Sequence, residues 1–130
     1  MSRLSNLDMA ALQGSWEQAA LEVDGISNPP DDLSPPGMVT TFRDNHFAVH
    51  TAEGVLLLEG SFALDASVDP KAITWIDAMG RDAGKPLAAI YRLDGDAFVF
   101  IAADAGAPRP MAFRTGPGQT MRSFVRRRSS

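Results

Sequence analysis

Apolar and polar residues alternate with a period of two along almost the entire chain. Turn-forming pairs of Gly, Asn, Asp and Pro interrupt the alternation about every ten residues, a spacing typical of all-β sandwiches and barrels. Successive side chains of a strand point to opposite faces, so each segment has one apolar face. The pattern predicts nine strands, which run over Ser15–Val23, Met38–Arg43, His46–Thr51, Val55–Leu64, Lys71–Asp77, Leu87–Leu93, Asp96–Ala103, Arg109–Thr115 and Gln119–Arg128.

One segment near the N-terminus has a helical pattern instead. A short apolar run ends at Leu12, Asn6 is a residue type that favours helix N-termini, and Gly14 stops the run. We therefore predict a helix over residues 6–12. A helix of this length is not stable alone in water, so we expect it to pack over one end of the strands.

The connections between the predicted strands are mostly short. Asp44-Asn45 and Asp94-Gly95 are hairpin signals, whereas Ile26–Gly37, with two proline pairs, and Met79–Pro86, with two glycines, are longer loops. Short connections require antiparallel neighbours, since a parallel pair needs a crossover of about a dozen residues. We predict a single all-β domain, an antiparallel up-and-down β-barrel of eight or nine strands over residues 15–128, because closure leaves no unpaired edge.

The composition excludes several classes of protein. A chain of 130 residues is the size of one domain, and the absence of Cys excludes a disulfide scaffold, an iron–sulfur cluster, a zinc ribbon and a thiol nucleophile. No apolar run approaches the roughly 20 residues of a transmembrane helix. The first residues lack the apolar core of a secretory signal, so we expect a cytoplasmic protein.

The charge is distributed unevenly, although the net charge is only −4. Residues 105–130 contain six Arg and no acidic residue, which leaves six basic and sixteen acidic residues for 1–104. The charge is therefore −10 before residue 105 and +6 from there on. Because the last strand of such a barrel lies beside the first, we expect Arg122 and Arg126 to lie close to Glu17 and Glu22.

Several short motifs resemble those of one family of β-barrel domains. Leu12-Gln13-Gly14-Ser15-Trp16 is similar to the Gly-x-Trp signature that follows a short helix in lipocalins and related calycin barrels. Further blocks follow in the order of that family: Leu21-Glu22-Val23-Asp24-Gly25, Thr41-Phe42-Arg43, Leu58-Glu59-Gly60-Ser61-Phe62, Asp69-Pro70-Lys71-Ala72-Ile73, Ile90-Tyr91-Arg92-Leu93-Asp94-Gly95-Asp96, and Arg109-Pro110 with Phe113.

Together these blocks resemble a family of small, functionally uncharacterised lipocalin-like domains that is abundant in planctomycetes and other bacteria. The resemblance extends from Leu12 to about Arg127 and implies a lipocalin-like barrel with a small-molecule cavity. Its motifs are specific for a fold and not for any chemistry. Members of the family are often exported, whereas this sequence shows no export signal.

The resemblance also implies a structural role for Trp16. In calycins this Trp lies across the closed end of the barrel, and a basic side chain of the last strand covers it. We expect Arg122, Arg126 or Arg127 to provide that side chain here. A cation over an indole face contributes about 0.5–2 kcal/mol.

Strand alternation predicts which side chains face the barrel interior. Most of them are aromatic or aliphatic, so we expect a mainly apolar interior that suits a small hydrophobic ligand. The candidate ligand-binding residues are Phe42, Phe47, Leu58, Phe62, Trp75, Asp77, Tyr91, Phe98, Phe100 and Phe113, with Met111 on the same face as Phe113. The alternative is that these side chains simply fill the barrel as a packed core.

The outward faces contain more apolar residues than a solvated surface requires. Val55, Leu57, Val99 and Ile101 lie on them in two neighbouring pairs. Contiguous apolar patches of several hundred Å² usually mark an interface. We therefore predict self-association into a homo-oligomer through these four residues.

The two histidines do not have the geometry of a metal site. His46 and His50 share one face of a strand but lie about 13 Å apart at ~3.3 Å per residue. Because a zinc–nitrogen bond is only about 2.0–2.1 Å long, one ion cannot bind both. We interpret them as solvent-exposed polar residues and expect neither a metal nor a cofactor.

Signals for catalysis and for nucleic-acid binding are weak. The sequence has no Gly-x-Ser-x-Gly elbow, and Gly80–Lys85 lacks the ending of a phosphate loop. The Arg126–Arg128 run has no accompanying aromatic platform, so we expect no nucleic-acid partner. Asp77 continues an inward set and is placed at the barrel mouth near Tyr91, where a carboxyl would serve as a general base or ligand acceptor unless it simply ends the strand.

The sequence therefore predicts a non-enzymatic binding module whose apolar barrel accepts a small hydrophobic molecule between the Ile26–Gly37 and Met79–Pro86 loops. Two alternatives remain open. One is a self-associating or partner-binding barrel with a filled core, and the other is a small metal-independent enzyme that uses Asp77 and Tyr91. A large enclosed apolar void would favour the first function, and a filled interior with an extensive outer contact the second. A raised or lowered pKa of Asp77 inside a cleft would favour the third.

Overall fold

A computed structural model describes residues 3–23, 25–27, 37–80 and 82–127 of the chain. These residues form one helix and nine strands, which are α1 (Arg3–Leu12), β1 (Gly14–Val23), β2 (Ile26–Ser27), β3 (Val39–Arg43), β4 (His46–His50), β5 (Leu56–Asp65), β6 (Ala72–Asp77), β7 (Pro86–Asp94), β8 (Ala97–Ala103) and β9 (Gln119–Arg126). The ten-residue α1 is the helical part of the described chain, and no helix there is long and apolar enough to cross a membrane.

Eight of the strands form a closed antiparallel barrel with up-and-down topology. β1 pairs with β3, and from β3 to β9 each strand pairs with the next along the chain. β9 then pairs with β1, from Trp16 opposite Arg126 to Val23 opposite Thr120, which closes the barrel. The short β2 folds back on the last two residues of β1. The predicted barrel with one short N-terminal helix is confirmed.

Successive strands run in opposite directions, so the connections between them lie alternately at the two ends of the barrel. We call the end that carries α1, the β3–β4 hairpin, the β5–β6 turn and the β7–β8 hairpin the closed end. The open end carries the connections over 51–55, 78–85 and 104–118. The predicted Ile26–Gly37 loop also joins strands at the open end, but its residues 28–36 lie outside the described part of the chain.

Helix α1 begins at Arg3, three residues before the predicted start. Its first turn is held by a tertiary contact, because the buried Ser5 hydroxyl accepts a hydrogen bond of 2.9 Å from the Ala66 amide in the β5–β6 turn. At the other end of the helix, Leu12 is fully buried in the core. The helix therefore closes the barrel as expected, with a length set by contacts that the local sequence pattern does not contain.

The predicted strand over Arg109–Thr115 is wrong. Residues 104–118 form an irregular segment between β8 and β9, which we call the strap. Pro108 and Pro110 have no N–H to donate to a strand ladder. Met111, expected in the barrel interior, is instead 87% exposed. The nine observed strands are therefore the other eight predicted strands and the short β2.

The strap lies across the outside of the barrel. Ala72, Ile90, Ile101, Met121 and Glu22 form a continuous outward row over β6, β7, β8, β9 and β1. Ile90 and Ile101 are fully buried although they point outward. Because the strap is fixed at both ends of this row, we infer that it covers the two isoleucines.

Hydrogen bonds fix the strap at each end. At one end, Arg109 donates to the backbone oxygens of Ile73 and Ala89 at 2.9 and 2.6 Å and to the Thr74 hydroxyl at 2.9 Å. At the other end, the Thr115 hydroxyl donates to a Glu22 carboxylate oxygen at 2.6 Å. The strap thus spans the barrel wall from β6 to β1.

The four residues predicted to mediate self-association do not form one exposed patch. Ile101 lies under the strap, and Val99 is half-buried. Leu57 packs against the core because the register shifts between Val49 and His50, opposite the start of β5. Val55 is exposed, but it precedes β5, which is separated from β8 by β6 and β7.

Candidate functional site

The closed half of the barrel interior is filled by aromatic side chains. The Phe98 ring lies 5.9 Å from the rings of Trp16 and Phe42 and 6.2 Å from the ring of Tyr91, measured between centroids. The Trp16 indole nitrogen donates to the Leu12 carbonyl oxygen at 2.8 Å, which joins this cluster to α1. The prediction of a packed core therefore describes this half.

The open half contains a cavity of about 250 Å³. Most of its wall is apolar, and it extends to the loops that follow β6 and β8. The lining residues are Gln18, Met38, Thr40, Phe42, Phe47, Val49, Leu58, Trp75, Asp77, Asp82, Leu87, Phe100, Ala102, Ala103, Asp104, Thr120, Arg122 and Phe124. The barrel is thus filled at one end and hollow at the other, which the sequence left as alternatives.

Six of the ten predicted ligand-binding residues line this cavity: Phe42, Phe47, Leu58, Trp75, Asp77 and Phe100. Phe62, Tyr91 and Phe98 point inward as predicted but belong to the filled half, where each is nearly inaccessible. The prediction for Phe113 is wrong. Because its strand does not exist, Phe113 lies in the strap, where the outward Arg92 stacks over its ring at 4.0 Å.

Among the three arginines considered for Trp16, Arg126 is the one that covers it. Its guanidinium carbon lies 4.3 Å from the centre of the Trp16 ring. Arg127 instead points outward and forms an exposed ion pair of 3.6 Å with Glu17. The expected pairing of Glu22 with an arginine is wrong, because Glu22 accepts from Thr115 in the strap.

Arg122 faces the cavity rather than the barrel's closed end. It shares a face of β9 with the buried Phe124, and its Nη1 donates to the Gln18 side-chain oxygen at 3.0 Å across β1 and β9. The interior is mainly apolar as expected, and its wall also contains one guanidinium. The sequence held a signal for this placement, since Arg122 and Phe124 are two residues apart on one strand.

The ring of Trp75 also contributes to the cavity wall. It packs against Phe100 at 4.8 Å, against Phe47 at 5.2 Å and against Phe62 at 5.6 Å. Its indole nitrogen is the one buried side-chain nitrogen or oxygen without a hydrogen-bond partner in the described residues. Leaving such a donor unsatisfied costs about 1–3 kcal/mol, so this position is unfavourable unless another group accepts.

Asp77 lies at the open end of β6, as predicted, and contributes to the cavity lining. Its backbone oxygen accepts from the Gly84 amide at 2.8 Å, which fixes the β6–β7 loop over the cavity. Burial raises the pKa of the Asp77 carboxyl above its ordinary value, and the nearby Asp82 carboxylate raises it further. Carboxyl groups, including Asp104, therefore surround the mouth of the cavity.

Asp77 and Tyr91 do not form an acid–base pair, so that expectation is wrong. Ile76 pairs with Pro86, and Tyr91 follows five residues along β7, which corresponds to roughly 16 Å at ~3.3 Å per residue. The Tyr91 hydroxyl instead donates to Asp8 of α1 at 2.7 Å, in the closed half. Burial, and then this contact, raise the pKa of the Tyr91 phenol.

Gly60 allows β5 and β6 to approach closely beside the cavity. It occupies an inward position opposite Phe47 on one side and Asp77 on the other. A Cβ atom there would overlap the Ile76 carbonyl oxygen and lie 2.9 Å from the Phe47 ring. The Leu58-to-Phe62 motif therefore has a steric reason for its central glycine.

The histidines lie on the outside of the barrel, on β4. His46 is exposed and His50 half-buried, on the face opposite to the buried Phe47 and Val49. Within the described ranges, no group of three or more His, Cys, Asp or Glu residues is arranged to hold a metal ion.

Comparisons with protein-family models, with curated proteins and with solved structures find no match to this chain. The structure itself defines the class: a small, closed, antiparallel β-barrel with a half-filled interior. Fold alone does not specify an activity, so the cavity is the feature from which a function can be inferred.

Proposed function

We propose that this protein is a non-enzymatic binding module that holds one small, mostly apolar molecule in the open half of a lipocalin-like barrel. The observation that carries this proposal is the cavity of about 250 Å³ inside the open half. Ligand sites are typically concave and mostly apolar, with a small number of polar groups that orient the ligand. The walls formed by Phe42, Phe47, Trp75 and Phe100, with Arg122 among them, have this character.

The size of the cavity limits the size of the ligand. A water molecule takes up roughly 30 Å³ of liquid, so the cavity has room for on the order of eight or nine non-hydrogen atoms. A larger ligand would have to extend past the mouth, between Asp82 and Asp104. The proposed ligand is therefore comparable in size to a medium-chain alkanol.

A series of linear alkanols tests the proposal. Burial of each additional CH₂ group contributes about 0.8 kcal/mol, which corresponds to roughly a fourfold gain in affinity. We expect 1:1 binding in titration calorimetry, with the dissociation constant falling about fourfold per carbon from butanol to octanol and levelling off for longer chains. Absence of saturable binding, or a gain that continues without a limit, would contradict an internal site of this size.

A pair of variants locates the binding. Ala102→Phe fills the cavity from β8, so we expect it to abolish octanol binding. Ala63→Phe adds the same side chain to the exposed face of β5 and serves as the matched control, with unchanged binding. Equal binding by both variants would place the alkanol outside the barrel and overturn the proposal.

A further inference from the structure

Two half-buried carboxyl groups lie close together at the mouth of the cavity. Asp77 ends β6, Asp82 lies in the loop between β6 and β7, and both line the cavity. The Gly84 amide donates to the Asp77 backbone oxygen at 2.8 Å, which folds this loop back over the end of β6. Burial raises the pKa of Asp77, and the Asp82 carboxylate is near enough to raise it further.

Neither carboxyl is hydrogen-bonded or ion-paired to another side chain or amide in the described part of the chain. Lys85 meets Asp82 through its backbone amide, which donates to the Asp82 backbone oxygen at 3.0 Å. An ionised carboxyl can only accept hydrogen bonds, and its partial removal from water is unfavourable unless a donor or a cation pairs with it. The mouth of the cavity therefore favours a cationic group on this side.

Aromatic rings form the cavity wall beside Asp77. Trp75 precedes it by two residues on the same inward face, and the Trp75 ring packs against Phe47 at 5.2 Å and Phe100 at 4.8 Å. Gly60 lies between Phe47 and Asp77, and a Cβ atom there would lie 2.9 Å from both the Phe47 ring and the Asp77 Cα. Because the face of an aromatic ring attracts cations, this wall and the Asp77 carboxyl favour the same kind of group.

We propose that the ligand of this barrel carries a protonated amine, which pairs with Asp77 and Asp82 at the mouth while its apolar part fills the cavity. This inference rests on the proposed function and adds the chemical class of the ligand. A primary ammonium supplies three N–H donors and a positive charge, which match two carboxylates that can only accept. The apolar part then packs against Phe42, Val49 and Leu58.

The guanidinium of Arg122 favours the opposite charge. Arg122 also lines the cavity, but it already has partners, Gln18 among them, whereas the two carboxyls have none among the described residues. If Arg122 determined the preference, an acid would bind better than an amine. The head-group preference of the cavity therefore distinguishes the carboxyls at the mouth from the arginine in the wall.

Three probes with the same eight carbons, octylamine, octanol and octanoate, test this inference by titration calorimetry at neutral pH, where the amine is protonated. We expect octylamine to bind at least about tenfold more tightly than octanol, because a charged hydrogen bond replaces a neutral one, and octanoate to bind most weakly. Equal affinities, or a preference for octanoate, would overturn the amine while leaving the proposed function intact. If none of the three probes binds, the proposed function fails as well.

Charge-removing variants identify the residues responsible through the ratio of octylamine affinity to octanol affinity, in which any general damage to the cavity cancels. Asp77→Asn keeps the shape of the side chain and should lower this ratio at least about fivefold. Asp82→Asn changes a loop residue outside the strands and should lower it in the same direction, which keeps the test valid if Asp77→Asn does not fold. Asp94→Asn removes the same charge from an exposed position at the closed end and should leave the ratio unchanged. An unchanged ratio in the Asp77 and Asp82 variants would overturn the proposal.

Discussion

Arg126 makes more kinds of contact than any other side chain described above. Its Nε donates to Asp96 at 3.1 Å, its Nη1 donates to the Gln13 carbonyl oxygen at 2.9 Å, and its Nη2 donates to the Ala11 carbonyl oxygen. The same guanidinium lies over the Trp16 ring. One residue of β9 thus holds the last turn of α1, the β7–β8 hairpin and the floor of the closed end.

This arrangement requires the planar fork of an arginine. Arg126→Lys retains the charge, but its three N–H donors share one nitrogen that cannot reach Asp96, Gln13 and Ala11 together, so we expect the free energy of unfolding to fall by about 1–3 kcal/mol. Arg127→Lys is the matched control. The Arg127 ion pair with Glu17 is exposed, and such pairs contribute about 0–1 kcal/mol, so we expect almost no change. Urea unfolding of both variants checks this, and equal losses would contradict the special role of Arg126.

The strap converts an apolar outer surface into part of the folded core. Arg109 fixes it to β6 and β7 through three hydrogen bonds. Ile90 and Ile101 lie beneath it without exposure to solvent. An apolar surface that resembles an interface in the sequence is therefore covered by the chain's own segment.

A substitution at Arg109 tests whether the strap covers Ile90 and Ile101. Arg109→Met removes all three hydrogen bonds, so we expect the strap to loosen, Ile90 and Ile101 to become exposed, and a hydrophobic dye to bind. Sedimentation should then show that the variant associates more strongly than the wild-type protein. Arg114→Met, on the exposed surface of the same segment, should behave as the wild type. A monomeric Arg109→Met that binds no dye would show that other contacts cover the isoleucines.

The local pattern of polar and apolar residues was sufficient to predict the strands whose inward and outward faces differ in polarity. The alternation in β4 places Phe47 and Val49 inside, and the Asp94-Gly95 pair marks the β7–β8 hairpin, as the structure confirms. The strap residues from Arg109 to Thr115 alternate in polarity like a strand, but the prolines and the long-range contacts of this segment decide its path. The local alternation of polar and apolar residues contains no information about those contacts.

The candidate site was predictable only in part for a related reason. Strand parity identifies Phe42, Trp75 and Phe100 as inward residues, but it does not say which layer of the barrel is packed and which is hollow. That division depends on how α1 and Trp16 fill the closed end. The unpartnered indole nitrogen of Trp75 is a result of three-dimensional packing and has no local signature.

The residues that stabilise the fold and the residues that line the cavity lie in different halves of the barrel. The closed half contains α1, the Arg126 contacts and the packed aromatic rings, whereas the open half contains the cavity and the longer loops. The uneven charge along the sequence also acquires a structural meaning, because β9 returns beside β1. Two arginines of β9 and the one that follows it have three separate environments there: Arg122 inside the cavity, Arg126 over Trp16 and Arg127 beside Glu17.

The closed half should determine how the molecule responds to alkaline pH. Tyr91 is the only tyrosine in the chain, so absorbance of the tyrosinate reports on this residue alone. It is 1% exposed and donates to Asp8, and burial raises its pKa in the folded state above the ordinary value of about 10. The phenol therefore cannot ionise readily unless the closed end opens.

The raised pKa of Tyr91 in the folded state makes the protein less stable at high pH. Above about pH 10 the unfolded chain releases the Tyr91 proton while the folded barrel retains it, so the free energy of unfolding falls by about 1.4 kcal/mol per pH unit from this group. We expect tyrosinate absorbance to appear together with the loss of the circular dichroism of the barrel, at a pH well above 10. Asp8→Asn removes the negative charge next to the phenol, and should lower the folded-state pKa of Tyr91 without exposing it. Reversible ionisation near pH 10 in a protein that keeps its circular dichroism would show that Tyr91 is accessible, and would contradict a closed end sealed by α1.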